Sequence, residues 1–517
     1  MSRFFPSRRT AGWLAIAAIA LLGAALWFSQ GWLSNLARRE LVSALENRFD
    51  ATVHVQSLTI RLLPRVHVTG TGLELRHRGR TDIPPLIAIK QFAADAGLFE
   101  VLRQHISTVR VTGLTLALPP DDGPSQPSGD RDDRGDTGGT SGQPDRGQKP
   151  ASQSMIGGLV IQDVIANQAV ILLLPDKPDH QPLRFDISHL DVHHFQFDEP
   201  SSYTATLTNP KPKGDIACSG HFGPWQREDP GATPVDGHYR FTNVDLSTIN
   251  GIGGTLSSEG EYDGRLASLR VKGTTDTPDF QLSSVGHPLP LETKFEALID
   301  GTNGNTWLRH IDANLAGSPL EVSGAVVQEP KAEHRTIEVD VKTTEARLED
   351  LLTLAVSQPQ PALAGTLGLQ AHLVIPPGDE DVVKRVALDG TFTISDGRFT
   401  RDGIQSKVDT LSRRGRGQPK DERIRNVLST FSGTFDLHRG VLHLPRLAFS
   451  VNGAQVHLAG TYVLQSEALN FAGNLRLKAH LSETTTGVKS FFLKLLDPLF
   501  SKHGAGTYLP ITVTGTV

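Results

Sequence analysis

The sequence holds one cluster whose residue types could bind a metal ion. His189, Asp191 and His193 are two residues apart, so on a β-strand their side chains share one face. Neutral imidazoles and a carboxylate are ligands that Zn²⁺ accepts. Leu190 and Val192 occupy the opposite face, which is the pattern of a strand with one solvated side. The cluster is therefore interpreted as an exposed strand face, and no metal site is predicted.

Signatures of an enzyme are missing from the sequence. It contains no GxxxxGK[ST] phosphate-binding loop, no GxSxG nucleophile elbow and no HExxH zinc helix. The Gly-rich GIGGT at Gly251 lacks the strand-to-helix context of a phosphate loop and is interpreted as a turn. No catalytic residue and no cofactor are predicted, and the chain is not expected to be an enzyme.

Two further segments could contact lipid. Residues 412–425 carry six cations and two acids, and could steer lipid phosphates or an anionic membrane surface, or form a solvated loop. Residues 488–500 read VKSFFLKLLDPLF, an amphipathic pattern. This helix could plug the end of a sheet, dip into a membrane or pack in a core.

Composition favours strands and turns. The 517 residues include 50 Gly and 32 Pro, whereas aromatic residues make up 6 %. The net charge of −5 gives no electrostatic reason to expect a nucleic-acid partner. The lone cysteine, Cys218, excludes an internal disulfide and a Cys-rich zinc site.

An N-terminal membrane anchor is predicted at residues 11–33. This stretch has no charged residue, and about 20 apolar residues cross a hydrocarbon core of roughly 30 Å. Three tryptophans lie at its ends, where indole prefers the lipid–water boundary: Trp13, Trp27 and Trp32. Arginines without acids precede it, so residues 1–10 are predicted to be cytoplasmic. A cleaved signal peptide is the alternative, although the apolar core is long for one and no clear small-x-small site follows.

Beyond the anchor, the chain alternates apolar and polar residues, as strands do. The spacing also predicts an amphipathic helix over 33–49 that rests on the first strands, and shorter helices over 93–104 and 346–356. Residues 119–154 contain one aliphatic side chain, Ala151, and are predicted to be a disordered linker.

One pattern recurs in the predicted strands: an apolar residue, any residue, an apolar residue, any residue, then Gly. Each Gly therefore lies on the apolar face, where it leaves a gap that lets the strand bend or lets another group approach the backbone. A sheet of such strands could form a trough with an apolar lining, or a sandwich or barrel that its own side chains fill. The candidate lining residues are Val66, Val68, Val109, Val111, Leu269, Val271, Leu320, Val322, Val386, Leu388, Val456, Leu458, Leu469, Phe471, Ile511 and Val513.

An apolar trough suits acyl chains. Each methylene kept from water is worth about 0.8 kcal/mol, so a chain of about 16 carbons drawn through water would cost on the order of 12 kcal/mol. A trough that covers the tail and leaves the head group in solvent removes most of that barrier.

The chain resembles the AsmA family of envelope proteins. The resemblance lies in the single span, in LARRELVSALENRFDATVHV and LPRVHVTGTGLEL, in ATLTNPKPKGDIACSGHFGPW, and in the C-terminal GTFTISDGRFT, TFSGTFDLHRGVLHLPRLAFSVNGAQVHLAGTYVL and LPITVTGTV. It covers most of the chain outside the linker, through diffuse patterns of strands and Gly. It implies a bacterial inner-membrane protein with a long periplasmic β-groove, related to repeating-β-groove lipid-transfer proteins and to outer-membrane assembly.

The resulting prediction is a mainly β protein in which a transmembrane helix is followed by a long, curved, repetitive sheet with an apolar groove and a few short helices. Its segments are 1–10, the span 11–33, a helix-plus-strands segment 34–118, the linker 119–154, central repeats 155–380 and a C-terminal groove region 381–517. The expected partners are phospholipids or other acyl-chain lipids and the inner membrane, with outer-membrane or envelope proteins as further candidates. The expected function is phospholipid transfer between the two membranes. The alternative is an assembly factor that moves no lipid and pairs its edge strands with client proteins.

Overall fold

A computed structural model describes residues 38–39, 42–43, 46, 51–61, 65–77, 84–97, 100, 103, 105–118, 160–174, 182–196, 198–226, 229–282, 285–328, 335–356, 358, 360–378, 380–480 and 507–516. The predicted cytoplasmic end 1–10, the span 11–33 with its three tryptophans, the linker 119–154 and the segment 488–500 lie outside these residues. Within the described residues, no helix has the length and apolar character needed to cross a membrane.

Strands dominate the described residues, which confirms the prediction of a mainly β fold. The chain divides into two compact units. Unit 1 comprises Met1–Leu207 with Ser219–Val235, and unit 2 comprises Thr208–Cys218 with Asp236–Val517. Three strands contain residues of both units: β7 (Ser201–Pro210), β8 (Lys213–Phe222) and β9 (Pro234–Asp245). A 3₁₀ turn, Pro230–Ala232, precedes β9.

The six remaining strands of unit 1 are β1 (Ala51–Arg61), β2 (Val66–His77), β3 (Ile87–Ala96), β4 (His105–Leu118), β5 (Val160–Leu173) and β6 (Leu183–Phe195). Strands β1 to β4 pair antiparallel in chain order, and β5 and β6 pair in the same way. Strands β4 and β5 are parallel.

The predicted helix before β1 is confirmed at the positions that the structure describes. Arg38, Arg39, Val42, Ser43 and Glu46 are helical. Val42 packs against the core cluster that β1 and β2 form. The Glu46 carboxylate accepts a hydrogen bond of 3.2 Å from the backbone N–H of Val53 in β1. The helix therefore rests on the first strands, as its apolar spacing predicts.

Unit 2 is an antiparallel meander. Its strands are β10 (Ile252–Gly253), β11 (Thr255–Arg265), β12 (Ser268–Leu282), β13 (Val285–Ile299), β14 (Thr306–Leu315), β15 (Ser318–Val327), β16 (Thr336–Arg347), β17 (Leu363–Ile375), β18 (Ala387–Phe399), β19 (Ser429–His438), β20 (Val441–Val451), β21 (Ala454–Val463), β22 (Ala468–Leu477) and β23 (Thr507–Thr516). Each strand from β11 to β22 pairs with the strand that follows it in the chain. The short β10 pairs with the end of β12.

Successive connections of a meander alternate between the two ends of its strands. We call the side of unit 2 where β12, β14, β16, β18, β20 and β22 end the helical rim. We call the opposite side, where β13, β15, β17, β19 and β21 end, the turn rim. Two helices lie at the helical rim, α1 (Leu348–Ala355) after β16 and α3 (Asp402–Gly415) after β18. A single-turn helix, α2 (Val382–Arg385), follows β17, and a 3₁₀ turn, Leu246–Thr248, follows β9.

The helix predictions have three outcomes. The prediction over 346–356 is confirmed by α1. The prediction over 93–104 is wrong at its start, because Ala93 to Ala96 extend β3 and pair with β2. The helix α3 was not predicted, although Ile404, Val408 and Leu411 recur at helical spacing, because residues 412–425 were interpreted as a basic segment.

Candidate functional site

One face of the unit 2 sheet is apolar, and we call it the apolar face. Strand β18 shows its periodicity: Leu388, Phe392 and Ile394 point to this face, whereas Asp389 and Thr391 point to the other and are exposed. Cross-strand pairing continues the face on both sides, since Leu388 pairs with Leu373 of β17 and with Leu437 of β19. The register therefore joins apolar side chains of consecutive strands into rows.

The register brings many of the predicted lining residues of unit 2 together. In β21, β22 and β23, Leu458 and Ile511 flank Gly473, and Phe471 pairs with Val513. Earlier in the meander, Val322 pairs with Val341, and Leu320 pairs with Ala313. The other predicted residues on paired strands of this unit are Leu269, Val271, Leu388, Val456 and Leu469. Val386 lies in the connection before β18, where its backbone N–H donates to the Val382 carbonyl.

The four predicted lining residues of unit 1 form one neighbourhood. Val66 and Val68 of β2 pair with Ala96 and Ala94 of β3. Ala94 in turn pairs with Val109 of β4, while Val111 pairs with Phe92. Val66 and Val111 are buried, and Val111 belongs to a core cluster with Ala166, Ala169 and Ile187.

Burial along the apolar face of unit 2 is not uniform. Side chains next to the helical rim are buried, among them Leu315, Ala346, Leu367, Ile394 and Leu477. Toward the turn rim, Val271, Ala297, Leu444 and Phe471 are also buried. Other apolar residues near the turn rim are half-buried, among them Leu269, Ile299, Leu308, Val326, Ile337, Leu373, Leu388 and Leu469. Each of these residues has a paired strand on both sides. Its exposed surface therefore points away from the sheet, on the apolar face. A second layer over the sheet would bury such residues fully.

The two rim helices provide the cover at the buried end. Leu351 and Leu352 of α1 pack against the core cluster that includes Ala346, Leu367 and Ile394. Helix α1 contacts β12, β13, β16 and β17. Val408 of α3 belongs to a second cluster with Val451, Ala454 and Leu477. At the helical rim, α1 therefore covers part of the apolar face formed by β16 to β18, and α3 covers part of that formed by β20 to β22.

Buried polar groups fasten α3 to the sheet. The Asp409 carboxylate accepts hydrogen bonds from the backbone N–H groups of Val427 (2.9 Å) and Asn426 (3.1 Å) and from the Gln405 amide (3.0 Å). Gln405 also accepts a bond from the N–H of Phe399, and Ser412 donates one to the carbonyl of Asn452. Helix α1 is joined to the sheet in the same way, because buried Asp350 accepts a hydrogen bond of 2.6 Å from the Ser318 hydroxyl of β15. A satisfied buried carboxylate fixes position, whereas an unsatisfied one would be costly.

Four glycines of the recurring pattern, and Gly433 outside it, lie opposite phenylalanines. The register pairs Gly70 with Phe92, Gly273 with Phe295, Gly390 with Phe435, Gly433 with Phe392 and Gly460 with Phe471. A Cβ at Gly390 would overlap the Gln370 carbonyl oxygen and stand 3.0 Å from the Phe435 ring, and one at Gly273 would stand 2.6 Å from the Glu259 carbonyl oxygen and 3.2 Å from the Phe295 ring. The predicted close approach to the backbone is therefore present, and it comes from both the backbone and the rings of the neighbouring strands. At these positions the predicted gap in the apolar face is filled by the chain itself.

Strand β6 of unit 1 carries histidine–carboxylate pairs on its polar face. His189 lies 2.9 Å from Asn167 and 3.0 Å from Asp191, and His193 lies 2.7 Å from Asp163. Both histidines are exposed, as the interpretation of a solvated face predicts. The described residues include no group of three or more His, Cys, Asp or Glu side chains that could hold a metal ion. Burial raises the pKa of the Cys218 thiol, which disfavours the reactive thiolate.

His372, on the polar face of β17 in unit 2, gives a prediction about pH. Its hydrogen bond to Asp340 (2.9 Å) raises the pKa of the imidazole above its ordinary value of about 6.5. The pair therefore stabilises the fold below about pH 6.5, and this contribution fades as the pH rises through the raised pKa. In Asp340→Asn, an NMR titration should show a lower pKa for His372. The distant Asp263→Asn should leave the titration midpoint of His372 unchanged, and an unchanged midpoint in Asp340→Asn would contradict the assignment.

Two surface depressions of unit 2 lie over the polar face. One of about 780 Å³ is lined by charged and hydroxyl side chains, among them Arg240, Glu259 and Lys294. The other, of about 550 Å³, is lined mainly by polar residues such as His310, Lys342 and His372, with Val322 at its base. Their lining suits water and ions more than hydrocarbon.

Comparisons with known proteins give no relative for this chain. No family model matches it, and neither a curated protein nor a solved structure matches it. Any functional conclusion must therefore start from the geometry of the apolar face.

Proposed function

We propose that this chain shields lipid acyl chains on the apolar face of unit 2 and supports phospholipid transfer between the inner and outer membranes of a bacterial envelope. One observation supports it above the others. Apolar side chains of consecutive strands form rows that stay half-buried between the helical rim and the turn rim. Hydrocarbon that covers these rows would remove apolar area from water on both partners.

The remaining parts of the proposal come from the sequence. The predicted span at residues 11–33 would anchor the chain in the inner membrane and place the strands in the periplasm. The resemblance to the AsmA family implies the same location. A single anchor with a long β-region beyond it suits a protein that receives lipid at one membrane and releases it at another.

Photo-crosslinking in cells tests where lipid lies. With a benzophenone amino acid in place of Leu458 on the apolar face, we expect ultraviolet light to attach phospholipid to the full chain, detected by mass spectrometry. Ala459 is the matched control, because it follows Leu458 in β21 and is exposed on the polar face. Lipid adducts of equal yield at both positions, or none at Leu458, would contradict the proposal.

A second candidate function is supported by the last strand. Strand β23 is the last strand of the meander, and its Tyr508 and Val513 are 39 % and 42 % exposed. A terminal strand with exposed apolar side chains can add a strand of another protein. Native mass spectrometry of the purified full chain separates the two functions. Bound phospholipid supports transfer, whereas lipid-free protein with a stable β-barrel client supports an assembly factor.

A further inference from the structure

The connection between α3 and β19 carries an unusual concentration of positive charge. We call residues 413–428 the basic turn. It contains the cations Arg413, Arg414, Arg416, Lys420, Arg423 and Arg425, whereas its acids are Asp421 and Glu422. The whole chain has a net charge of −5, so this segment departs in sign from the rest of the protein.

The basic turn has a fixed conformation. Backbone hydrogen bonds join Gln418 to the Arg413 carbonyl (2.8 Å) and Asp421 to the Gln418 carbonyl (3.1 Å). At its end, the N–H groups of Asn426 and Val427 donate to the buried Asp409 carboxylate of α3. The backbone of the turn is therefore held to the helical rim at both ends.

Part of the charge of the basic turn is neutralised and part is not. Arg423 pairs with Asp421 at 3.0 Å, and Arg425 lies 3.5 Å from Glu422. Both arginines nevertheless remain exposed, Arg423 at 92 % of its side chain. Arg414, Arg416 and Lys420 are also exposed and have no ion-pair partner within the described residues. The surplus of positive charge therefore faces solvent.

The same segment ends on a protruding leucine. Leu428 is 52 % exposed, the highest value among the exposed large apolar residues described. Its neighbour Val427 points inward and packs against the cluster under α3, so Leu428 must point outward. Cations gain from the negative surface potential of anionic lipids, while an apolar side chain gains by entering the boundary of the acyl chains. A soluble acidic partner would use the charges but would leave the leucine in water.

We propose that the basic turn docks on a bilayer surface that contains anionic phospholipids. This inference goes beyond the proposed function, because it concerns a membrane contact at the helical rim and does not require lipid on the apolar face. Arg414, Arg416 and Lys420 supply the long-range attraction, and Leu428 supplies the contact with the acyl region. The docking would hold the helical rim against a membrane.

The test measures recruitment of vesicles to the full chain. The chain is reconstituted in phosphatidylcholine nanodiscs, which occupy its N-terminal apolar segment, and is held on beads by a tag. Fluorescent vesicles of phosphatidylcholine with phosphatidylglycerol should bind, whereas vesicles of pure phosphatidylcholine should not. Each cation near an anionic surface is worth about 1 kcal/mol, so Arg414→Gln, Arg416→Gln and Lys420→Gln together should weaken binding by about a hundredfold. Leu428→Ser should weaken it about tenfold.

A matched control keeps the same change in net charge. Arg240→Gln, Lys294→Gln and Arg309→Gln remove three exposed cations from unit 2, and vesicle binding should be unchanged. For wild-type protein, raising the salt from about 0.1 M to about 1 M shortens the Debye length from about 10 to about 3 Å and should release the vesicles.

Three results would overturn the docking proposal. These are equal binding of both kinds of vesicle, wild-type binding by the triple variant, and release by inorganic phosphate at constant ionic strength, which would indicate a site for free phosphate. Native mass spectra of the triple variant keep this question separate from the proposed function. The variant should lose vesicle binding and keep its bound phospholipid.

Discussion

Replacing Leu388 and Leu458 with Asp together should stop lipid transfer while the chain still folds and inserts into a membrane. Both side chains lie on the apolar face, with Leu388 between Leu373 and Leu437, and Leu458 between Leu447 and Gly473. A carboxylate that meets hydrocarbon without a partner costs several kcal/mol. Since about 1.4 kcal/mol is a factor of ten, two such groups should slow transfer by roughly a thousandfold or more.

The fold should survive this double substitution. Both leucines are half-buried, so the new carboxylates keep access to water, and neither residue belongs to the buried clusters under α1 and α3. The measurement is transfer of a fluorescent phospholipid from donor vesicles containing the full chain to acceptor vesicles. Thr391→Asp with Ala459→Asp is the matched control, because it places two carboxylates on the polar face of the same strands. A folded Leu388→Asp/Leu458→Asp protein that transfers lipid at the wild-type rate would show that the apolar face is not the path.

Substituting Gly460 with Ala should destabilise unit 2 strongly. A Cβ at this position would overlap the carbonyl oxygen of Asn470 and stand 2.6 Å from the Phe471 ring, both in the neighbouring strand β22. Backbone cannot move aside as a side-chain end can, so the pairing of β21 with β22 must shift. Overpacking of this kind typically costs about 1–3 kcal/mol, and overlap with backbone places Gly460 at or above the upper end.

Thermal unfolding and limited proteolysis of the full chain measure this effect. The matched control is Gly403→Ala, since a Cβ at Gly403 in α3 meets nothing within 4 Å. Replacing a glycine inside a helix with alanine should leave stability unchanged or raise it by up to about 1 kcal/mol. If Gly460→Ala unfolds at the same temperature as Gly403→Ala, the close packing of the glycine–phenylalanine pairs is not important for stability.

The fold class could be predicted because alternation is a property of single strands. Segments such as Val66 to Leu75 show the period of two without any knowledge of their neighbours. Helix α1 could be predicted for the same reason, from Leu348, Leu351 and Leu352 on one side. Register and topology depend on pairs of strands, so the parallel pairing of β4 with β5 was beyond the reach of the pattern.

The two main misreadings have the same physical origin. Helix α3 was not predicted because, besides Val408 and Leu411, it buries Gln405, Asp409 and Ser412, which bond to groups outside the helix. Recurring glycines such as Gly390 and Gly460 were interpreted as gaps because the phenylalanines opposite them lie on neighbouring strands. The candidate lining residues, by contrast, could be chosen from periodicity alone, although the rows that they form depend on the register.

The meander of unit 2 has a consequence for how such a chain can change length. From β11 to β23, each strand pairs with the strands adjacent to it in the chain, so a duplicated hairpin inserted at one connection leaves all other pairings intact. With strands about 4.8 Å apart, every added hairpin would widen the sheet by roughly 10 Å at constant strand length. Proteins of this construction can therefore be adapted to compartments of different width by gene duplication, without redesign of the individual strand.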